Sequence, residues 1–366
     1  MSARAAAIAT LCLVAAGALA PADKQEAPTT KAAAEKLFGK PTPILDQDGK
    51  TILTRRAVGH PVVFDWNADG KNDIILGCHL NMDTATGEIL LLENVGSRDK
   101  PKFRWPPRAS VKLQDAGGRM RISCGCKSGG TAEVHVTDWN GDGWFDLVVD
   151  TFWSDGVRVL LNTGKSKRAP TFKRGPRLHR IGSHGMGSGG GDWDGDGIMD
   201  LVFPVNAYGW AVYPGIRGPK GERKFAAKPA LRSSEFKIVG QERWFEHTPY
   251  AWNFSGDHGK GSKITEVVAV INDPKTAKQP YEKKLSQVNY YWLDRAAKTC
   301  TLKGTLAVNP AAYTRLGIGD LNSDGCMDVL YTGGVFTRGE ETKIFVLYGK
   351  VKNIPAAEAG KKPARD

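Results

Sequence analysis

The sequence predicts an all-β fold built from about five repeated units, and three observations support that prediction. A nine-residue acidic pattern occurs four times, each copy is followed by a short apolar run, and the copies are spread along most of the chain. Short runs rich in β-branched and aromatic residues indicate buried strands. A pattern that recurs along a chain is the signature of a repeat architecture.

Composition is typical of a folded protein and leaves its partner open. Of the 366 residues, 41% are hydrophobic and 25% are charged, which excludes disordered and collagen-like chains. No run of about 18 uncharged apolar residues follows residue 20, so we expect no transmembrane segment. With 51 basic and 39 acidic residues, the formal charge of +12 indicates a cationic surface.

Residues 1–22 have the features of a secretory signal peptide. Arg4 supplies a positive start, residues 5–20 are mostly small or apolar, and Ala20-Pro21-Ala22 fits a cleavage site. An uncleaved N-terminal anchor is the alternative. The segment predicts a secreted, extracytoplasmic protein, with the periplasm and the cell surface both open.

Five cysteines follow the predicted signal peptide, so at least one thiol has no partner within the chain. Export permits disulfides, but the sequence does not select among the pairings. No second pair at zinc spacing accompanies Cys124-x-Cys126, which argues against a zinc site. The five are Cys78, Cys124, Cys126, Cys300 and Cys326.

The repeated pattern is D-x-[DN]-x-D-G-x-x-D, and its residue types suit a hard cation. We name the copies loop one (residues 65–73), loop two (138–146), loop three (192–200) and loop four (320–328). Calcium takes about six to eight oxygen ligands, and oxygens at positions 1, 3, 5 and 9 can surround one ion if the chain turns sharply. The glycine at position 6 permits that turn, and the backbone carbonyl of position 7 can add a ligand.

Four loops predict about four Ca²⁺ ions, and loop three, with four carboxylates, is expected to bind tightest. Magnesium is less suited because it demands a stricter octahedron. The candidate ligands are Asp65, Asn67, Asp69, Lys71 and Asp73 in loop one, Asp138, Asn140, Asp142, Trp144 and Asp146 in loop two, Asp192, Asp194, Asp196, Ile198 and Asp200 in loop three, and Asp320, Asn322, Asp324, Cys326 and Asp328 in loop four.

The residues that follow each loop exclude the helical calcium-loop families. An EF-hand needs a bidentate Glu at position 12, but here that position is Leu76, Val149, Phe203 or Tyr331. These residues lie in apolar runs that indicate buried strands. Each loop is therefore predicted to be the tip of a β-hairpin.

The wide gap between loops three and four predicts a degenerate unit. The first aspartates of successive loops lie 73, 54 and 128 residues apart, and half of the last gap ends near residue 256. Residues 251–256 keep the Trp, Asn and Gly of the pattern, whereas Ala251, Ser255 and Gly259 stand in place of acids. We expect a hairpin there that has lost its ion.

Units of this length have room for about four strands, which predicts a β-propeller of about five blades, with six or seven open if the true blade is shorter. The propeller is expected to span residues 58–350. Residues 23–57 are expected to form a linker that also helps to close the ring, and residues 351–366 a mobile tail.

Tryptophans recur at position 2 of the pattern. We expect them to pack between blades rather than to stack on sugars. They are Trp66, Trp139, Trp193 and Trp252.

The loops and the strands after them resemble FG-GAP/VCBS repeats, the blade units of calcium-bearing propellers such as the integrin α-subunit head. The resemblance covers residues 58–350 and matches the four loops residue by residue. It implies a calcium-stabilised, extracytoplasmic propeller. It does not imply one activity, because members of the family include adhesins, lectin-like binders and some polysaccharide lyases.

One further set of residues could line the central channel. Counting back five residues from each unit's first position gives His60, Glu133, Gly187, Glu246 and Arg315. They precede the loops in the expected innermost strands, which by analogy with propellers places them at the channel mouth. A ring of His, Glu and Arg could do acid–base work on a glycan. The alternative is a solvated lining without catalysis.

The sequence favours a binding or adhesion module with a glycan or cell-surface polymer as its partner. Outside the loops basic residues greatly outnumber acids, which favours an anionic polymer. A polysaccharide-active enzyme, either a lyase or a hydrolase, is the first alternative, and a structural surface component is the second. Nucleic acid is disfavoured because the chain is expected to be exported and carries no nucleic-acid motif. The sequence leaves the ligand and the oligomeric state open.

Overall fold

A computed structural model describes most of the chain between residues 35 and 352. The predicted signal peptide lies outside the described residues, as does nearly all of the predicted tail. Within the described part, no helix has both the length and the apolar character that crossing a bilayer requires. The described ranges are 35–54, 58–81, 86–107, 112–113, 122–123, 132–151, 157–168, 170–178, 188–196, 198–206, 209–219, 221–241, 247–258, 261–276, 278–279, 283–309, 313–334 and 342–352.

The structure is built almost entirely from β-strands, with short 3₁₀ turns at Ser233–Glu235 and Pro274–Thr276. The strands in chain order are β1 (Thr42–Pro43), β2 (Leu53–Thr54), β3 (Val58–Phe64), β4 (Asp73–Asn81), β5 (Thr86–Leu92), β6 (Lys112–Leu113), β7 (Ile122–Ser123), β8 (Ala132–Thr137), β9 (Asp146–Thr151), β10 (Val157–Asn162), β11 (Thr171–Leu178), β12 (Gly189–Gly191), β13 (Asp200–Asn206), β14 (Gly209–Tyr213), β15 (Gly215–Arg217), β16 (Arg223–Phe225), β17 (Leu231–Arg232), β18 (Lys237–Val239), β19 (His247–Ala251), β20 (Ile264–Asn272), β21 (Ser286–Asp294), β22 (Thr299–Asn309), β23 (Tyr313–Gly319), β24 (Asp328–Gly334) and β25 (Thr342–Leu347).

The main strands of the described residues fall into five antiparallel sheets that follow one another along the chain. Sheet one has the order β3-β4-β5-β7, and sheet two the order β8-β9-β10-β11, with β6 parallel to β11. Sheet three is β12-β13-β14-β17, and sheet four is β19-β20-β21-β22, with β18 parallel to β22. Sheet five is β23-β24-β25, and β1 and β2 both pair with β25. A separate short hairpin joins β15 to β16.

The first strands of these sheets lie side by side around a common axis. β3 contacts β8 and β23, β19 contacts β12 and β23, and β12 pairs in parallel with β19. The ring is completed between β8 and Ser188, just before β12, by the hydrogen bond between His135 and Ser188. The chain is therefore a β-propeller, as the sequence predicts, with β3, β8, β12, β19 and β23 as its inner strands.

The apolar runs after the loops are buried on both faces because each sheet lies between two others. In β9, Leu147 and Val149 pack toward sheet one, whereas Val148 packs toward sheet three. Side chains alternate between the faces of a strand, so burial of both faces requires a continuous apolar run. The period-2 alternation seen on half-exposed sheets is therefore missing from these strands.

The tryptophans of the first three loops pack between neighbouring sheets. Trp66 lies with Phe172 between sheets one and two, and Trp193 lies with Tyr291 between sheets three and four. Trp139 is buried between sheets two and three. The packing role predicted for these three residues is confirmed.

Residues near the N-terminus of the described part complete the last sheet. β1 and β2 pair with β25, and between them Ile44 and Ile52 are buried with Ile344 and Val346. Segments far apart in the sequence thus hold sheet five together. This pairing joins the two ends of the ring within a single sheet.

We expect Ile52→Ala to lower the free energy of unfolding by about 2–5 kcal/mol, because Ile52 is fully buried and the substitution leaves a cavity at the ring closure. Urea unfolding would measure the loss. Ile216→Ala, at a side chain that is 47% exposed, is the control and should change stability by less than about 0.5 kcal/mol. Equal effects of the two substitutions would contradict a role for Ile52 in closing the ring.

Candidate functional site

Each acidic loop connects the first strand of its sheet to the second, as a hairpin tip should. In sheets one, two, three and five, the residue before the loop pairs with the position-9 aspartate, for example Phe64 with Asp73. In loops one, two and four the position-6 glycine has a left-handed backbone, with φ of 86° at Gly70, 83° at Gly143 and 88° at Gly325, whereas Gly197 of loop three lies outside the described residues. A residue with a Cβ would be strained there, which explains the glycine in the pattern.

A common set of hydrogen bonds shapes the four loops. The position-1 carboxylate accepts a bond from the N–H of position 5, over 3.0 to 3.2 Å. The position-5 carboxylate in turn accepts a bond from the N–H of position 7, over 2.7 to 3.0 Å. The chain is therefore wrapped around its own carboxylates.

Position 9 does more than the sequence suggests, because its carboxylate joins two strands to the loop. One oxygen accepts the N–H of position 2, and the other accepts an N–H at or just beyond the end of the third strand of the sheet, over 2.7 to 3.1 Å. All four carboxylates are fully buried. With their partners they are Asp73 with Trp66 and Asn94, Asp146 with Trp139 and Asn162, Asp200 with Trp193 and Gly215, and Asp328 with Leu321 and Gly349.

The donor set of the loops fits a divalent cation, and loop three fits best. In loop three, carboxylate oxygens of Asp192, Asp194 and Asp200 lie within 4.8 Å of one another. Among the described residues this is the group of three acidic, His or Cys side chains that meets that geometry. Each position-9 oxygen retains a lone pair beyond its hydrogen bond, so a bound ion can share it. Ca²⁺ would hold the oxygens together and offset the repulsion between them.

Side-chain hydrogen bonds shape the turn of the degenerate unit. Ser255 donates from its backbone N–H to Glu266 over 2.8 Å and from Oγ over 2.5 Å. Asn253 accepts the N–H of His258 over 2.9 Å. Glu266 is buried on β20, inside the apolar strand that follows the turn. A carboxylate supplied by the next strand thus organises this turn.

The register of the degenerate unit differs by one residue from the alignment expected from the sequence. Ala251 pairs with Val267, as Phe64 pairs with Asp73, so Ala251 is the last strand residue and Trp252 stands at the first loop position. Phe254 is buried between the sheets there, whereas Trp252 is only half-buried. The packing role predicted for Trp252 therefore belongs mainly to Phe254.

The channel residues predicted from the sequence come together, but inside the protein rather than at a solvent-exposed mouth. Nδ1 of His60 lies 2.5 Å from Oε2 of Glu133, and Nε of Arg315 lies 3.3 Å from Oε1 of Glu133. All three side chains are at most 3% exposed. Gly187 and Glu246 lie outside the described residues.

Two further residues complete this buried group, which we call the axial cluster: His60, Glu133, His135, Tyr250 and Arg315. The His60 ring centroid lies 4.8 Å from that of His135 and 5.8 Å from that of Tyr250. Burial opposes ionisation of Glu133, but the charges of His60 and Arg315 hold its pKa below the ordinary value. Burial also lowers the pKa of His135 well below its usual range. His60, Glu133 and Arg315 thus form a buried ion-paired group between the inner strands.

A cavity of about 490 Å³ lies above the axial cluster, at the loop end of the inner strands. All five inner strands contribute to its wall, and His135 and Tyr250 form part of its floor. Its polar lining comes largely from the degenerate unit and from two arginines, Arg223 and Arg295. The residues concerned are Asp192, Arg223, Trp252, Asn253, His258, Thr265, Glu266 and Arg295.

Sequence reasoning missed most of this cavity lining. The available signal was Glu266, a charged residue directly before the apolar run of residues 267–271 in β20. Arg295, immediately after β21, carries no local pattern that would reveal its position. Of the cysteines, Cys300 and Cys326 are free and buried, and Cys124 and Cys126 lie outside the described residues.

Comparison with known proteins agrees with the resemblance inferred from the loops. Residues 138–203, which hold loops two and three, match the FG-GAP-like repeat family. The chain therefore contains an FG-GAP-like repeat. No curated protein matches the sequence significantly.

Solved structures with a similar arrangement include carbohydrate-active enzymes at very low identity. A GH43_1 enzyme from Xanthomonas citri is 14% identical, with 92% of this chain and 98% of that chain covered and a TM-score of 0.41. A GH43 β-xylosidase/α-arabinofuranosidase from a compost microbial metagenome is 11% identical, with coverage of 85% and 94% and a TM-score of 0.43. A glycosyl hydrolase from Bacteroides ovatus is 10% identical, with coverage of 89% and 92% and a TM-score of 0.40. Similarity at this level carries no argument about activity.

We expect Asp146→Ala to destabilise the calcium-free protein by about 2–4 kcal/mol, because it leaves two buried backbone N–H groups without an acceptor. Asp142→Ala in the same loop is the matched control. Its carboxylate is exposed, so without calcium the substitution should cost less than about 1 kcal/mol. Urea unfolding of both variants after removal of calcium measures the difference. Equal losses would contradict the strand-joining role of position 9.

Calcium should stabilise the protein more at about pH 8.5 than at about pH 5.5. Burial raises the pKa of Asp328 to about 8, and those of Asp73 and Asp200 to about 7, in the ion-free loops. Protonation of these groups therefore stabilises the ion-free fold below an unfolded-state pKa of about 3.9, and this contribution is lost as pH rises through 7 to 8. Ca²⁺ competes with those protons, so its effect grows in the same range. Melting temperatures with and without calcium at the two pH values provide the measurement, and a gain independent of pH would contradict it.

Proposed function

We propose that the protein is an exported, calcium-stabilised propeller that binds an anionic glycan in the axial cavity. The observation that carries the proposal is a cavity of about 490 Å³ on the propeller axis, with an aromatic ring and two arginines in its wall. Cavities of about 300–1,000 Å³ that combine apolar walls with a few polar groups are typical ligand sites. Export rests on the features of residues 1–22, and the fold is consistent with it.

Trp252 supports a sugar as the ligand. Its ring lines the cavity, and its indole N–H is buried without a hydrogen-bond partner among the described residues. A buried indole N–H normally has an acceptor, which a ligand hydroxyl or carboxylate would supply. The apolar face of a pyranose can lie against such a ring while its hydroxyls meet the polar wall.

Arg223 and Arg295 support a ligand that carries negative charge. Both side chains line the same cavity and bring positive charge to it, and a guanidinium has five N–H donors, so Arg295 retains donors beyond its two bonds to backbone carbonyls. The basic excess over the whole chain would also attract an acidic polymer at long range. A uronate-containing or sulfated glycan fits both features.

Calcium would serve the scaffold in about four loops, as the resemblance implies. Each position-9 carboxylate ties its loop to the second and third strands of the sheet. An ion at the hairpin tip would stabilise that junction and with it the cavity rim. Extracellular modules of this kind work at weak calcium affinities, with Kd of about 10⁻⁴–10⁻³ M.

A polysaccharide-active enzyme is the second candidate, favoured by the presence of His258 and Tyr250 beside Arg295 in the cavity. The carboxylates that line the cavity already accept hydrogen bonds within the protein, which argues against a role in hydrolysis. Glu266 accepts bonds from Ser255, and Asp192 accepts bonds from the backbone of loop three. Hydrolysis of glycosides needs two carboxylates poised on either side of the scissile bond. Binding therefore ranks above catalysis.

Calorimetric titration with tri-galacturonate, in calcium, tests the proposal, with maltotriose as the neutral comparison. We expect binding of the uronate and about tenfold weaker binding, or about 1.4 kcal/mol, for Trp252→Ala. Trp144→Ala is the matched control, because Trp144 is also half-buried but lies in loop two, away from the cavity lining. Equal weakening by both variants would contradict the assignment of the cavity.

Analysis of the glycan recovered from the same samples distinguishes a binding module, an enzyme and a structural component. Uronate bound and recovered intact supports a binding module. New unsaturated or reducing ends support the enzyme. No retention of anionic or neutral glycans, with a folded protein, would overturn the binding proposal and leave a structural surface component.

A further inference from the structure

Loop three forms part of the cavity wall as well as one of the calcium loops. Asp192, Gly195 and Ile198 of this loop line the cavity, next to Gly191 at the end of β12. Among the described lining residues, Asp192 is the aspartate that comes from a metal loop. Loop two lies outside that lining, although its own hydrogen bonds match those of loop three. The two loops thus share these hydrogen bonds but differ in their position relative to the cavity.

Two side chains of the cavity wall hold the backbone of loop three directly. Arg295 donates from one terminal nitrogen to the carbonyl of Asp194 over 3.3 Å and from the other to the carbonyl of Ser262. Thr265 donates from its hydroxyl to the carbonyl of Trp193 over 2.9 Å. Arg295 and Thr265 both line the cavity. A change in the shape of loop three is therefore transmitted to the cavity wall through these bonds.

The charge of loop three also acts on the cavity. Loop three holds four aspartates, and the same cavity wall carries the acidic residues Asp192 and Glu266 and the basic residues Arg223 and Arg295. Without an ion the acids offset the arginines, and an anionic ligand gains little. A divalent cation held by Asp192, Asp194 and Asp200 would cancel two of those negative charges within a partly buried site, where screening by solvent is weak.

We propose that loop three couples calcium to ligand binding, so that an ion in this loop, and not in loop two, makes the axial cavity receptive to an anionic glycan. The proposal rests on the function proposed above and adds its regulation. Arg295 acts as a positioning residue, since it connects loop three to Ser262 in the neighbouring degenerate unit. By linkage, the glycan must raise the calcium affinity of loop three by the same factor.

The test compares Asp196→Asn in loop three with Asp142→Asn in loop two. Each aspartate stands at position 5, is exposed, and accepts the N–H of position 7, a bond that an Asn oxygen can keep. Tri-galacturonate affinity is measured by calorimetry for wild type and both variants, in calcium-free buffer and at saturating calcium. Because all three proteins meet the same free calcium, chelation by the uronate cancels in the comparison.

We expect calcium to strengthen uronate binding about tenfold in wild type and in Asp142→Asn, but less than about twofold in Asp196→Asn. A second readout is the calcium concentration at the midpoint of thermal stabilisation, which the uronate should lower in the first two proteins only. Maltotriose, if bound, should show no calcium dependence. Near-UV circular dichroism at saturating calcium confirms that each variant is folded.

The outcomes separate this proposal from the one it rests on. Uronate binding that is independent of calcium, or that both variants weaken equally, overturns the coupling and leaves the binding function in place. No uronate binding by wild type in either buffer overturns the binding function and the coupling together. Loss of the calcium effect in Asp196→Asn alone supports both.

Discussion

The buried position-9 aspartate is the interaction on which the rest of the propeller depends. Its two oxygens accept one N–H from the loop and one from the end of the third strand, while its backbone starts the second strand. The loop, the second strand and the third strand are thereby fixed relative to one another at a single carboxylate. The cost of burying that charge is reflected in the raised pKa values, and an ion bound in the same loop would offset it. The oxygens that hold the strands together would then also be ligands of the ion.

Much of the architecture was predictable because short segments of the sequence determine it. The spacing of glycine and acids within nine residues identified the hairpin tips, and the apolar run after each loop identified a strand buried on both faces. The channel set His60, Glu133 and Arg315 was also found by counting along the chain. Their burial was not predictable, because it depends on how closely the inner strands of separate sheets approach the axis, and no local pattern encodes that distance.

The degenerate unit shows where sequence alignment and three-dimensional register separate. Keeping Trp, Asn and Gly suggested an intact turn with lost ligands, yet the strand pairing is shifted by one residue. Phe254 then fills the space between sheets, and Trp252 is left facing the cavity. Glu266 supplies the carboxylate that the turn itself lacks, from a position that only the fold brings near. The same shift in register thus buries one aromatic side chain and leaves another in the cavity wall.

The pairing of β1 and β2 with β25 has a consequence for how the molecule is made. The two strands that complete the last sheet, β1 and β2, leave the ribosome well before their partner β25. Contacts of such long sequence separation form slowly, since a large loop must close before they contribute. A nascent chain therefore cannot close the ring until β25 has been synthesised and has met β1 and β2.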